Sequence, residues 1–165
     1  MEFNELIRRF AERFGIEVPE IVDDATAFDA DGMPFLVMRV ANEGECEYLV
    51  AAADLGEPPP ERLEQLYQVL LDAGHAFAGA GGGVFARNPA DGHIWLQMRE
   101  AYSSINVETA IPKLKTLGDA AVNWRNIIRD YREGAFIPAT PNPEKTYDGT
   151  ANASSGERAP GFIKV

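Results

Sequence analysis

The chain has 165 residues, 45% hydrophobic and 25% charged, with a single cysteine and a formal net charge of −11. That length suits one domain that buries its own core; the lone Cys46 excludes a disulfide framework or a multi-thiolate zinc site and points to a reducing, cytoplasmic compartment. The acidity repels phosphate backbones and excludes nucleic acid as a partner, and no apolar run approaches the ~20 residues of a membrane helix.

Residues 2–14 place Phe3, Leu6, Ile7, Phe10 and Phe14 on one helical face, with Arg8, Arg9, Glu12 and Arg13 opposite. Charges inside that apolar pattern argue against a signal peptide, and Gly15 is a plausible stop. Three strands follow: ATAFDA, the turn signal Asp31-Gly32, MPFLVMRV, a turn at Asn42-Glu-Gly44, then ECEYLVAAA. Short connections make them antiparallel neighbours. Pro58, Pro59 and Pro60 close this stretch and open a helix over 61–77, with Leu63, Leu66, Tyr67, Leu70 and Phe77 on one face and Val69 and Leu71 widening the stripe. GVFARN and HIWLQMRE make a second hairpin around Asp91-Gly92. A last helix, capped by Thr109 with Pro112 at its third position, buries Leu114, Leu117, Ala121, Trp124, Ile128 and Tyr131. From Gly134 a Pro/Gly/Ser-rich stretch reads as a flexible tail over 134–165, leaving a domain at 1–133. The order α-βββ-α-ββ-α describes an antiparallel α+β fold, a twisted sheet with three helices.

Motifs for chemistry are weak. The cluster Gly79, Gly81, Gly82, Gly83 lacks the G-x-G-x-x-G register, since Val84 and Ala86 stand where glycine is needed. It also runs from helix to strand, so the negative helix end faces it, the reverse of a phosphate loop. Its plainer reading is a tight corner needing positive φ and close packing. His75 and His93 have no local metal-ligand spacing, and Cys46 reads as a small buried hydrophobe. The EF-hand register through Asp29 and Gly32 places Ala27 and Met38 at ligand positions and fails, leaving a hairpin turn. Neither a metal site nor a cofactor is expected. Apolar residues are in surplus: Met33, Phe35 and Val37 face one way and Leu36, Met38 and Val40 the other, and Ile94, Leu96 and Met98 oppose Trp95. A loop or the tail covers the second face, or a partner chain or second copy does.

The element order, the small acidic chain, the segment LLDAGHAFAGAGGGVFARNPADGHIWL and the final helix bearing Ala-Ala-Val-Asn-Trp124-Arg125 resemble a class I type III secretion chaperone of the Tir/CesT chaperone family, over most of residues 1–133. The resemblance implies a non-enzymatic homodimer that holds the N-terminal chaperone-binding segment of a secreted effector extended, through apolar grooves and added strands. On that picture Leu66, Tyr67, Leu70 and Leu71 form the dimer surface, and Phe3, Phe10, Phe28, Phe35, Val37 and Trp95 line the partner groove. Leu70→Glu is then expected to split the dimer. Two alternatives stand beside it: a regulator of the same fold that binds another cytoplasmic protein, and a small-ligand protein or enzyme using His93 and Cys46.

Overall fold

A computed structural model describes residues 2–30, 32–41, 46–75 and 79–134. The turn residues Asp31 and 42–45, Phe77 and its neighbours 76 and 78, and the expected tail beyond Gly134 lie outside the described residues. The elements are α1 (Phe3–Phe14), β1 (Ala25–Ala30), β2 (Met33–Ala41), β3 (Glu47–Gly56), α2 (Leu63–Gly74), β4 (Val84–Arg87), β5 (Ile94–Ala101) and α3 (Val107–Arg132). This is the α+β order read from the sequence. One antiparallel sheet runs β1-β2-β3-β5-β4, so β1 and β4 are its edges.

Register sorts the residues of each strand onto two faces. Phe28, Phe35, Ala53 and Leu96 fall in one row, and Val37, Ala51 and Met98 in the next. These side chains are buried against Phe3, Leu6 and Ile7 of α1 and Leu114, Leu117, Ala121, Trp124 and Ile128 of α3. α2 lies on the same side, since Phe85, in the Leu96 row, packs edge-on against the Trp124 ring with centroids 5.0 Å apart and stands 3.8 Å from the position of a Cβ on Gly74. The other sheet face carries Leu36, Met38, Val40, Tyr48, Val50 and Trp95, all half-buried, and no described helix covers it.

α3 begins one turn earlier than the Thr109 cap expected. Asn106 is the N-cap: its side chain accepts from the Thr109 N–H at 3.0 Å, and the Thr109 hydroxyl accepts from the Asn106 N–H at 3.0 Å. Thr109 is the reciprocal partner of a capping box, not its first residue. Pro112 is therefore the sixth helical residue and removes the bond that would reach the Glu108 carbonyl. Cys46 also departs from expectation. It precedes the first paired residue of β3 and is exposed.

The glycine cluster is the corner between α2 and β4. Gly81 and Gly82 have φ of 58° and 82°. A Cβ on Gly81 would stand 2.9 Å from the Thr116 carbonyl oxygen, and one on Gly83 2.8 Å from that of Gln97, so the backbone packs directly on α3 and β5. The Trp124 indole N–H donates to the Gly79 carbonyl at 2.7 Å and completes the seam. Gly82 faces open space. We expect Gly82→Ala to destabilise by about 1 kcal/mol, the left-handed penalty alone, and Gly81→Ala by about 3 kcal/mol, because a backbone clash is added. Chemical denaturation of the two variants checks this; equal losses would show that conformation alone selects glycine.

Candidate functional site

α1 ends where Gly15 enters the left-handed region at φ 64° and its N–H donates to the Ala11 carbonyl. The Ile16 N–H donates to the same carbonyl at 3.1 Å. The reversal leaves Phe14 and Ile16 side by side and exposed, and Val18 and Val22 follow, also exposed. Phe14 and Ile16 line a groove of about 340 Å³ between α1, β1 and α3, together with Phe10, Phe28, Phe35, Leu114 and Val122, with Asp29, Lys115 and Asp119 among its polar lining. A ladder of rings ties its floor to the core: Phe14 to Phe10 at 4.7 Å, Phe10 to Phe28 at 5.2 Å, Phe28 to Phe35 at 6.5 Å. The rim of the groove is β1, a sheet edge whose first residue, Ala25, is already bridged by Val22 through two backbone hydrogen bonds of 2.9 Å, and which carries no proline or lysine further along.

Of the residues expected to meet a partner, the half-buried Phe10 reaches the groove surface and Phe28, itself buried, lines the groove from below. Phe3 and Val37 do not: both are sealed in the core, because α1 and α3 cover their face of the sheet. Phe35 lies at the groove floor, 3% exposed, so it supports the surface more than it presents one. Trp95 is on the bare sheet face, between Asp54 and Ala86, with an indole N–H shielded from solvent and lacking an acceptor. Reading by sequence did not assign Phe14, Ile16 or Val122 to this surface, its most exposed part; the signal for Phe14 and Ile16 is an apolar pair spanning the glycine that ends α1.

The expected dimer residues divide in the same way. Leu66 and Leu70 point into the core, whereas Tyr67 is half-buried and Leu71 is 75% exposed. Leu71 lies with Pro60, Leu63 and Tyr67 along one open groove of α2. Leu70→Glu would therefore place a charge in the protomer's own core and unfold it, rather than split a dimer.

His93 and Cys46 are not brought together. His93 Nδ1 lies 2.9 and 3.0 Å from the two Asp54 carboxylate oxygens, and Asp54 also accepts from the Gly56 N–H at 2.8 Å, at the bulge where the β3–β5 register shifts. Cys46 sits eight residues away along β3, about 26 Å at strand rise. The pair therefore cannot act as a Cys–His nucleophile; His93 and Asp54 staple a strand end. Among the described residues, no group of three or more His, Cys, Asp or Glu side chains is arranged to hold a metal ion.

The sequence pattern of the Tir chaperone protein (CesT) family matches residues 5–125, most of the described fold. The chain belongs to this family. No curated protein matches the chain in sequence. Among solved structures, a chain of the ExsC–ExsE complex is 18% identical with a TM-score of 0.58, covering 76% of this chain and 92% of its own. The Yersinia pestis type III secretion chaperone SycH, in complex with a YscM2 fragment, is 22% identical with a TM-score of 0.54, covering 74% and 99%. A chain of the ExoU–SpcU complex from the Pseudomonas aeruginosa type III secretion system is 17% identical with a TM-score of 0.55, covering 74% and 97%. At these identities the likeness is one of fold, and the three helices on a five-stranded antiparallel sheet are common ground.

The Asp54 carboxylate raises the His93 pKa above its usual range, chiefly through the hydrogen bond and against the opposing effect of desolvation. The folded state thus holds the proton more tightly than the unfolded chain. The resulting stabilisation is complete below the unfolded value near pH ~6.5 and is lost as pH rises through the folded pKa. Asp54→Asn should lower the melting temperature more at pH 5.5 than at pH 9. A gap of the same size at both pH values would mean that His93 is not charged in the native pair.

Proposed function

We propose that this CesT-family member is a non-enzymatic, cytoplasmic type III secretion chaperone. It works as a homodimer that holds the N-terminal segment of a secreted effector extended, soluble and competent for secretion. The observation that carries the reading is the apolar groove of Phe10, Phe14, Ile16, Phe28 and Val122, beside the part of the β1 edge that lies beyond the Val22–Ala25 bridge. An extended chain added to that edge satisfies its backbone donors and acceptors and sends alternate side chains toward the groove. Burial of a large apolar side chain is worth about 2 kcal/mol, so a few anchors offset much of the ordering cost of an unfolded segment. The similar structures agree with this use of the fold, since the HopA1–SchA structure is described as a chaperone–effector complex. The bare sheet face, with Leu36, Met38, Val50 and Trp95, adds a second apolar surface.

The homodimer is placed on α2. Leu71, Tyr67, Leu63 and Pro60 form an exposed apolar strip on a helix whose opposite side is anchored in the core by Leu66 and Leu70. A two-fold axis across the strip buries it against its own copy. We expect Leu71→Glu to raise the dimer dissociation constant at least tenfold, by about 2 kcal/mol, without lowering the melting temperature of the protomer. Light scattering across a dilution series reads the first and thermal denaturation the second. An unchanged dimer would move the interface elsewhere.

For cargo, the complex purified from the native cell is digested and the protected fragment of the bound chain identified. An N-terminal stretch of a secreted protein is expected. Phe14→Ser should weaken its binding about tenfold, the loss of one buried aromatic side chain. A protected fragment from a folded cytoplasmic protein would instead favour a regulator built on the same fold.

A further inference from the structure

The connection between α1 and β1 meets the sheet edge at one residue pair and then leaves it. Val22 and Ala25 exchange two backbone bonds of 2.9 Å across a two-residue loop. In that loop Asp23 and Asp24 have φ of 49° and 57°, the left-handed sign that a type I′ hairpin turn requires at both central positions. Arg39 of β2 holds the turn in place. Its backbone N–H donates to the Asp24 carbonyl at 2.8 Å, and its Nε donates to the Asp24 carboxylate at 3.0 Å. A hairpin turn is thus formed and anchored, yet only Val22 and Ala25 use it.

Because Asp24 bonds toward β2, the alternation of an antiparallel ladder turns Thr26 and Phe28 toward β2 as well. The backbone groups of Ala25, Ala27 and Asp29 then face the outer edge. Val22 takes those of Ala25; among the described residues no backbone bond is made to the outward groups of Ala27 and Asp29. Continued in the same register, the hairpin pairs Glu20 with Ala27 and Val18 with Asp29. Ile21 and Pro19 then fall opposite Thr26 and Phe28, on the helix side, and both are already half-buried. Val18 and Glu20 fall on the opposite side and are already exposed, Val18 by 48%. The segment therefore has the burial pattern of the closed hairpin without its backbone bonds. The Glu20 carbonyl accepts instead from the Thr26 hydroxyl at 2.7 Å, one residue short of the Ala27 N–H.

The residue types suit a closing edge strand. Val18, Ile21 and Val22 fit a pleated, half-buried surface. Pro19 would stand where the backbone points away from β1, so its missing N–H costs no ladder bond and stops a further strand from adding outside it. Glu17 and Glu20 add charge beside it.

We propose that residues 18–22 are a guard strand, which zips onto Ala27 and Asp29 while the edge is empty and gives way to a captured chain that takes the same backbone groups, a competition that rests on the strand-addition reading above. Capture is then the exchange of one strand for another. Two residue pairs beyond the bridge make a short strand, which a longer incoming chain displaces.

Amide hydrogen exchange, followed by NMR on the full chain without cargo, tests the closing. Glu20→Pro removes the donor to the Ala27 carbonyl and leaves the Glu20 carbonyl free to keep its Thr26 bond. In this variant the Ala27 and Asp29 amides should exchange about tenfold faster than in the parent chain, while Ala25, held by Val22, and Ala51 in the sheet centre stay unchanged. Equal rates at Ala27 and Asp29 in the two proteins overturn the guard strand. A second variant tests the competition. In a Cys46→Ser background, Glu20→Cys/Ala27→Cys places two thiols at adjacent, exposed positions of the closed hairpin. Oxidation should weaken binding of a peptide, selected on the full chain from a phage-displayed library of random 16-residue sequences, by about tenfold, and reduction should restore it. Thiols that fail to join, or an oxidised protein that binds the peptide as tightly as the reduced one, overturn the proposal and leave peptide capture standing. A library that yields no binder overturns capture itself, while the exchange rates still decide whether the guard closes.

Discussion

The hydrogen bond from the Trp124 indole to the Gly79 carbonyl joins the longest helix to the corner between α2 and β4. Around it Gly81 packs on the Thr116 carbonyl and Gly83 on that of Gln97, so closely that neither tolerates a Cβ. Backbone-to-backbone contact on this scale sets the height of α3 above the sheet and its rotation about its own axis. With α3 so fixed, Leu114, Leu117, Ala121 and Ile128 must point at the sheet. Val122 then points outward as a necessary consequence of the helical period. The apolar groove beside α3 is thus a consequence of a glycine corner on the far side of the molecule.

Placing all three helices on one face has a second consequence. The described core runs within the protomer from Phe3 to Tyr131, yet no described helix covers the other sheet face, and the β1 edge is bridged only at Ala25 among the described residues. An ordinary domain of this size covers or charges such surfaces. A member of a chaperone family has a reason to leave them open, because an unfolded segment offers backbone and apolar side chains and no shape of its own.

Much of the fold was legible because period is a local property: every helix and strand announced itself by spacing 3.6 or 2. The face that a strand buries is not local. β2 is apolar on both sides, and only the position of the helices makes Phe35 and Val37 core and leaves Leu36 and Met38 on the open face. The same holds within α2, where Leu70 and Leu71 are neighbours in sequence and opposites in burial. Two misreadings had local causes. Thr109 has the chemistry of a cap, but Asn106, three residues earlier, has it too and starts the helix. Cys46 alternates in phase with Tyr48 and Val50, and that phase turned out to be the face without helices. The candidate site was half legible: Phe10, Phe14 and Phe28 lie on recognised periods, whereas Ile16 belongs to a connection with no period to read.

Beyond the Val22 bridge at Ala25, the β1 edge is as available to another copy of this protein as to any cargo, and its remaining Ala, Thr, Phe and Asp residues offer little to prevent a sheet from extending from molecule to molecule. Protection therefore has to come from outside the strand. A net charge of −11 on every copy keeps like molecules apart while leaving a neutral or basic segment free to approach. That shield is only as long as the Debye length, about 8 Å at physiological ionic strength, and it collapses near the isoelectric point of 4.6. The colloidal behaviour of the molecule and its choice of partner are in this sense one property, and acidification or high salt would erode both together.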